Sequence, residues 1–217
     1  MSFAMTEEQR MAVAGLRKLL DNEIEPEFRE HGEGHIPKEK MRDWMQRLSA
    51  FGLICAPHPE EYGGMGMDWV THLRLWEEVG VSSMDIGIPI LINTVGADLL
   101  IHNAPEHIRE AYVPAILSGE KFVGMGISEP DVGSDVSAAK TRAVSDGDDW
   151  VINGEKTWIC NGEYMDVFVC TCRTGDGELT HIAIPRETPG LEVRGIPKMA
   201  LNGQSTAQVF LADVRVP

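Results

Sequence analysis

The apolar residues of this chain change period at Gly119, and that change divides what it can fold into. Before it, they recur every three or four positions. Thr6, Glu7, Glu8 and Gln9 form a capping box that opens a helix, and Val13, Leu16, Leu20 and Ile24 then make one stripe until Pro26 blocks the regular hydrogen-bond pattern. Past a loop containing Gly32 and Gly34, Pro37 suits the first turn of a second helix that runs to Leu48 and stops near Gly52. Residues 57–68, crowded with Pro, Gly and acidic side chains, read as an irregular connection. Helical pattern resumes at Trp69, with Leu73, Trp76 and Gly80 on one stripe. A stretch over 86–101 follows, flanked by Asp85 and Asn103 and apolar almost all round, as a buried helix is. Ala111, Ile116 and Leu117 in the next amphipathic segment supply a neighbour for it. Beyond Gly119 the runs are short, alternating or β-branched: 121–127, 140–144, 150–152, 156–159, 165–172, 179–184, 191–193 and 208–214. Asp146-Gly147, Asn153-Gly154, Asn161-Gly162 and Gly175-Asp176-Gly177 stand between them as turn signals. The expected fold class is α+β, an all-helical domain over 1–120 followed by an antiparallel β-barrel or sandwich over 121–217.

Composition narrows the partners. Nineteen basic residues against thirty-four acidic ones give a formal net charge of −15, which repels phosphate backbones and anionic headgroups, so neither nucleic acid nor a membrane surface is an expected partner. An anionic ligand must then rest on a few local donors. Residues 1–8 carry no basic patch leading into an apolar run, and no stretch approaches a membrane span; a cytoplasmic location is the default expectation. Cys55, Cys160, Cys170 and Cys172 lack C-x-x-C spacing and read as reduced thiols. His31 and His35 have i,i+4 spacing, but with Gly32 and Gly34 between them they read as a surface loop, and no metal site is expected. Glu60 and Glu61 read as solvated, and there is no Ser/His/Asp or Cys/His constellation.

The chemistry concentrates in two stretches, Gly126-Ile-Ser-Glu-Pro-Asp-Val-Gly-Ser-Asp135 and Asn153-Gly-Glu-Lys-Thr-Trp-Ile-Cys-Asn-Gly162. In the first, a strand ends at Pro130 and a loop presents the Ser128 and Ser134 hydroxyls with amides freed by Gly133, a set able to cradle a phosphate or the edge of a heterocycle. Glu129, just before Pro130, reads as structural. The second ends a strand with the flat indole of Trp158. Each element also has an ordinary reading, a serine-rich turn and a core tryptophan, and residue type alone favours the ordinary one.

Together the two stretches resemble the paired signatures of acyl-CoA dehydrogenases, a T-E-P-x-x-G-S-D loop and a W-I-T-N-G strand end that surround the flavin. Pro59-Glu-Glu-Tyr-Gly-Gly64, the segment from Asn93 to Gly96 and that from Tyr112 to Gly119 match the family in order, so the likeness covers essentially the whole chain. The resemblance implies FAD as cofactor. It puts Met125, Ile127 and Ser128 along the flavin ring, with Ser128 donating to it, and Ser134 where pyrophosphate and CoA-ester contacts meet. It packs Trp158 against the ring and sets Cys160 at the flavin edge. Ser128 stands where the family usually has Thr and keeps the hydroxyl. Cys160 also replaces a Thr, and its thiol is a weak donor, which leaves its backbone amide for that task. Met125 stands where an aromatic residue is common, and Asp131-Val132 replaces a Gly-Ala pair. Val95, Gly96 and Leu99 fall on the helix that lines the family's acyl tunnel.

The family's reaction removes a proton beside a thioester carbonyl and passes a hydride from the next carbon to the flavin. The resemblance places the base in a C-terminal helical domain, so no catalytic residue is expected within 1–217. Acyl-CoA is the implied substrate, an electron-transfer flavoprotein a candidate partner, and a homo- or hetero-oligomer the implied state. Two further readings stand beside this one: a non-catalytic subunit or fragment that contributes a flavin site or interface, and a related flavin oxidase or monooxygenase. An apolar surface is expected where a third domain would pack.

Overall fold

A computed structural model describes residues 4–217; the start of the N-terminal segment read for a secretory signal, residues 1–3, lies outside them. The chain divides into two compact units, one of residues 1–120 with 200–204 and the other of 121–199 with 205–217.

The helical unit contains α1 (Glu7–Leu19), α2 (Glu25–His31), α3 (Lys38–Ser49), α4 (Trp69–Ser82), α5 (Met84–Asn103) and α6 (Glu106–Leu117). The capping box forms: the Thr6 hydroxyl accepts from the Gln9 amide at 3.2 Å, and the Gln9 side chain accepts from the Thr6 amide at 3.0 Å. Leu16, Leu20 and Ile24 are fully buried, as their spacing requires. Pro26, however, does not stop the helix. A π-helical turn over Leu20–Ile24 widens the backbone, and α2 starts with Pro26 in its first turn, where a missing N–H costs nothing.

In α4 the expected stripe is displaced. Its buried residues are His72, Leu75 and Val79, whereas Leu73 is exposed. Trp76 is half-buried and donates its indole N–H to the Gly87 carbonyl at 2.9 Å. A helix with apolar residues on two faces does not announce which one packs. Asp68 and Ser83 cap the N-termini of α4 and α5. Contrary to the sequence expectation, α5 is long and apolar enough to cross a membrane by length and composition. Here it is a core helix, with Ile86, Ile90, Ala97, Leu100 and Ile101 buried in the helical unit. Val113, Ile116 and Leu117 are the buried side of α6, and Ala111 faces outward.

The β unit holds β1 (Val123–Gly126), β2 (Arg142–Asp146), β3 (Asp149–Cys160), β4 (Val167–Gly175), β5 (Glu178–Pro185), β6 (Leu191–Gly195) and β7 (Thr206–Val216) in one sheet. Its order is β1-β4-β2-β3-β7-β6, with β5 added on β4. Most pairings are antiparallel, as expected. The exceptions are β1, which runs parallel to β4 from Val123↔Val167 to Gly126↔Cys170, and the single Arg142↔Arg173 contact of β2 with β4, so the sheet is mixed. Ile152, Ile159, Phe168, Cys170, Ile184 and Val209 are at the centre of its core.

Asn153-Gly154, which looks like a hairpin turn, is instead a bulge inside the long strand β3. The Asn153 side chain accepts from the Asp213 amide at 2.9 Å and donates to the Asp213 carboxylate at 3.0 Å, so β7 completes the backbone pairing that a turn would have closed. The four cysteines are free, in agreement with the reduced reading.

Candidate functional site

The two signature stretches meet within the β unit. Along β1, Gly124 and Gly126 face the core and Met125 faces away, half-buried; Ile127 continues that outward face, 37% exposed. Gly126 is required by close approach, because a Cβ there would fall 2.2 Å from the Phe168 ring. The chain then turns at Glu129 and Val132, whose backbones exchange two hydrogen bonds of 2.9 and 3.1 Å, and rejoins the sheet at Lys140 and Thr141.

Glu129 is the hub of this loop. Its carboxylate accepts from the amides of Lys140 at 2.7 Å and Thr141 at 2.9 Å, and from the Lys156 ammonium at 2.8 Å. The side chains of Glu129 and Lys156 are 5% and 0% exposed. Burial alone would raise the Glu129 pKa, but the hydrogen bond from Lys156 and the two amides outweigh it and hold the carboxyl at about 2. Lys156 also donates to the Ile127 carbonyl at 3.2 Å. The structural role read for Glu129 is thus specific: it stitches both ends of the loop to β3.

One backbone bond joins the loop to the strand end, from the Thr157 N–H to the Ser128 carbonyl at 2.9 Å. At that point β3 slips register against β7 between Lys156 and Ile159, and Trp158 takes φ +61°. A bulky residue rarely adopts that conformation, and the result is an indole turned out of the sheet, 61% exposed. Cys160, two residues past Trp158, is half-buried, while Ile159 between them is in the core. Burial pushes the Cys160 thiol up, partly opposed by the nearby Lys198 ammonium, which itself donates to the Thr206 hydroxyl at 2.9 Å. Asn161, at φ +59°, donates its side-chain amide to the Val123 carbonyl at 3.2 Å and so ties the end of β3 to β1.

Both units match the family models for acyl-CoA dehydrogenases, the N-terminal domain over residues 6–120 and the middle domain over 124–214. The chain belongs to the acyl-CoA dehydrogenase family. It is 34% identical over 226 residues to the probable acyl-CoA dehydrogenase YngJ of Bacillus subtilis (strain 168), a match that takes in 100% of this chain and 58% of that protein. A solved glutaryl-coenzyme A dehydrogenase in complex with glutaryl-CoA superposes with a TM-score of 0.91 at 31% identity, over 100% of this chain and 56% of that one. An acyl-CoA dehydrogenase of Bacillus anthracis complexed with FAD does so at 0.86 and 27%, over 98% and 37%. The chain therefore spans little more than half the length of the first two relatives.

Of the acyl-CoA dehydrogenase positions read from the sequence, the structure links Ser128 to the Trp158 strand end through the Thr157 bond and sets Met125 and Ile127 on the outward side of β1. Ser134 is exposed on the outer part of the loop. Asp131, three residues before it, is paired with Lys140 at 2.8 Å. In the helical unit Val95 is exposed, Leu99 half-buried and Gly96 buried. Sequence reasoning missed Lys156 and Lys198. A single lysine in a strand carries no sign that it is buried or paired.

Proposed function

We propose that this chain provides the flavin-facing part of an acyl-CoA dehydrogenase, which oxidises the α,β carbon–carbon bond of an acyl-CoA thioester. One observation carries the reading: the Trp158 indole, turned outward by a residue in the left-handed region, stands beside the Ser128 loop. An exposed indole and an exposed Ile127 on that edge fit a flat apolar ring, and a serine hydroxyl with nearby backbone amides fits the polar rim of such a ring. The relatives solved with FAD and with glutaryl-CoA support FAD and an acyl-CoA thioester as the bound pair.

FAD, when bound, would supply the acceptor for the hydride leaving the β carbon. The residues of this chain bind and orient. Trp158 and Ile127 cover the ring from water, Met125 continues that surface, and the Ser128 hydroxyl donates to the ring's polar edge. Ser134, exposed on the loop, would meet the pyrophosphate and the CoA ester. At Cys160 the backbone amide is the donor, because a thiol S–H donates only weakly. The reaction also needs a carboxylate to take the α proton, and none of these residues fills that role. An electron-transfer flavoprotein as electron acceptor and an oligomeric assembly complete the proposal.

Titration of the purified chain with FAD, followed by its visible spectrum, tests the reading. Bound flavin should show a shifted, structured absorption band. Anaerobic acyl-CoA should bleach that band only when a polypeptide carrying the base is supplied. A chain that leaves the flavin spectrum unchanged, with or without that partner, sinks the catalytic proposal.

A further inference from the structure

Lys156 is a cation with no solvent exposure, and its partner Glu129 is almost as deeply buried. A buried ion pair is a poor source of stability, since apolar side chains of similar volume serve a core as well or better. This pair does something an apolar pair cannot. Lys156 bonds to the Ile127 carbonyl and the Glu129 carboxylate, the two neighbours of Ser128 in the chain. Lys156 itself is one residue before Thr157, whose amide bonds Ser128, and two before Trp158. The contact between the loop and the strand end is thus held from both sides. The same carboxylate anchors the returning end of the loop through the Lys140 and Thr141 amides. Trp158 at φ +61° needs such over-determined surroundings, because a strained backbone relaxes where it is not held.

We propose that the buried Glu129–Lys156 pair is a positioning device that holds the Ser128 hydroxyl and the Trp158 indole in one register, so that a flat heteroaromatic cofactor meets a preorganised edge. The proposal rests on the flavin reading for its ligand. Neither residue touches the cofactor; both act through the loop and the bulge.

The test uses the full 217-residue chain with Glu129→Gln, Lys156→Met and the double substitution. Removing one partner leaves the other buried without its counter-charge, so the single variants report mainly on folding. In the double variant no buried charge remains. It should melt cooperatively, yet bind FAD at least tenfold more weakly by quenching of flavin fluorescence. Its Trp158 emission, isolated by difference from Trp158→Phe, should change its acrylamide quenching by at least twofold. A cooperatively melting double variant with FAD affinity within twofold of the unaltered chain overturns the proposal. Should the double variant fail to fold, hydrogen exchange of the unaltered chain decides. The amides of Lys140, Thr141 and Thr157 should then open as one unit, and Thr157 exchanging independently of the other two overturns it. If the unaltered chain binds no FAD, the flavin reading fails by itself, and the Trp158 quenching still judges the clamp.

Discussion

Trp158 shows how one residue can serve a site at the expense of its own strand. Its φ of +61° puts a bulky side chain in a region that costs on the order of 1–2 kcal/mol, and the gain is an indole directed out of the sheet. Trp158→Gly should therefore leave the melting temperature of the β unit unchanged or slightly raised, while FAD affinity falls at least tenfold; calorimetry and flavin titration read the two separately. A melting temperature several degrees lower would mean that the indole is part of the core. Ser128 and Trp158 were legible only as members of a signature, because a serine in a turn and a tryptophan in a strand each have an ordinary role. Lys156 was not legible at all. Its charge argues for the surface, and only Glu129, brought to it across the loop, makes burial tolerable.

The local signals for helix starts were reliable at the level of elements. Thr6 and Gln9 satisfy each other's backbone, and this depends on three residues of separation rather than on anything distant. Thr6→Ala should accordingly cost about 1 kcal/mol and speed amide exchange in the first turn of α1, with the later turns unaffected. Exchange that rises along the whole helix would contradict a local cap. Signals that need a partner failed. Pro26 looked like a terminator until the π-helical turn before it absorbed the break. The α4 stripe was assigned to Leu73 when packing selected Leu75 and Val79, and Asn153-Gly154 read as a turn where β7 supplies Asp213 to pin a bulge. In each case the sequence offers two conformations of similar local energy, and a neighbour chooses.

Both units of the molecule carry a carboxylate held well below its ordinary range. In the β unit, Glu129 is held at about 2. In the helical unit, the hydrogen bond from Arg47, with those from Lys40 and Trp44, brings Glu27 to about 2 against the opposing effect of burial. A depressed pKa contributes stability that is fully present above the unfolded value, near 4.3, and is lost as pH falls through the folded value. Stability should hold from neutral pH to about 5 and fall between roughly 4.5 and 2, with Glu129 accounting for about 3 kcal/mol of the loss. The double variant Glu129→Gln with Lys156→Met, which strands no buried charge, should flatten that fall in an acid-denaturation series; an unchanged acid limb would show that the pair contributes no linkage. The sequence by itself determined the succession of a helical and a β unit and the family to which the chain belongs, because periodicity, caps and contiguous motifs are properties of neighbours along the chain. Only the tertiary structure decided which face of α4 is inside, that Lys156 is buried, and that Ser128 is tied to the bulge that turns Trp158 outward. Those facts depend on residues far apart in the chain, such as Ile127 and Lys156, coming within hydrogen-bonding distance, and no local propensity encodes that meeting.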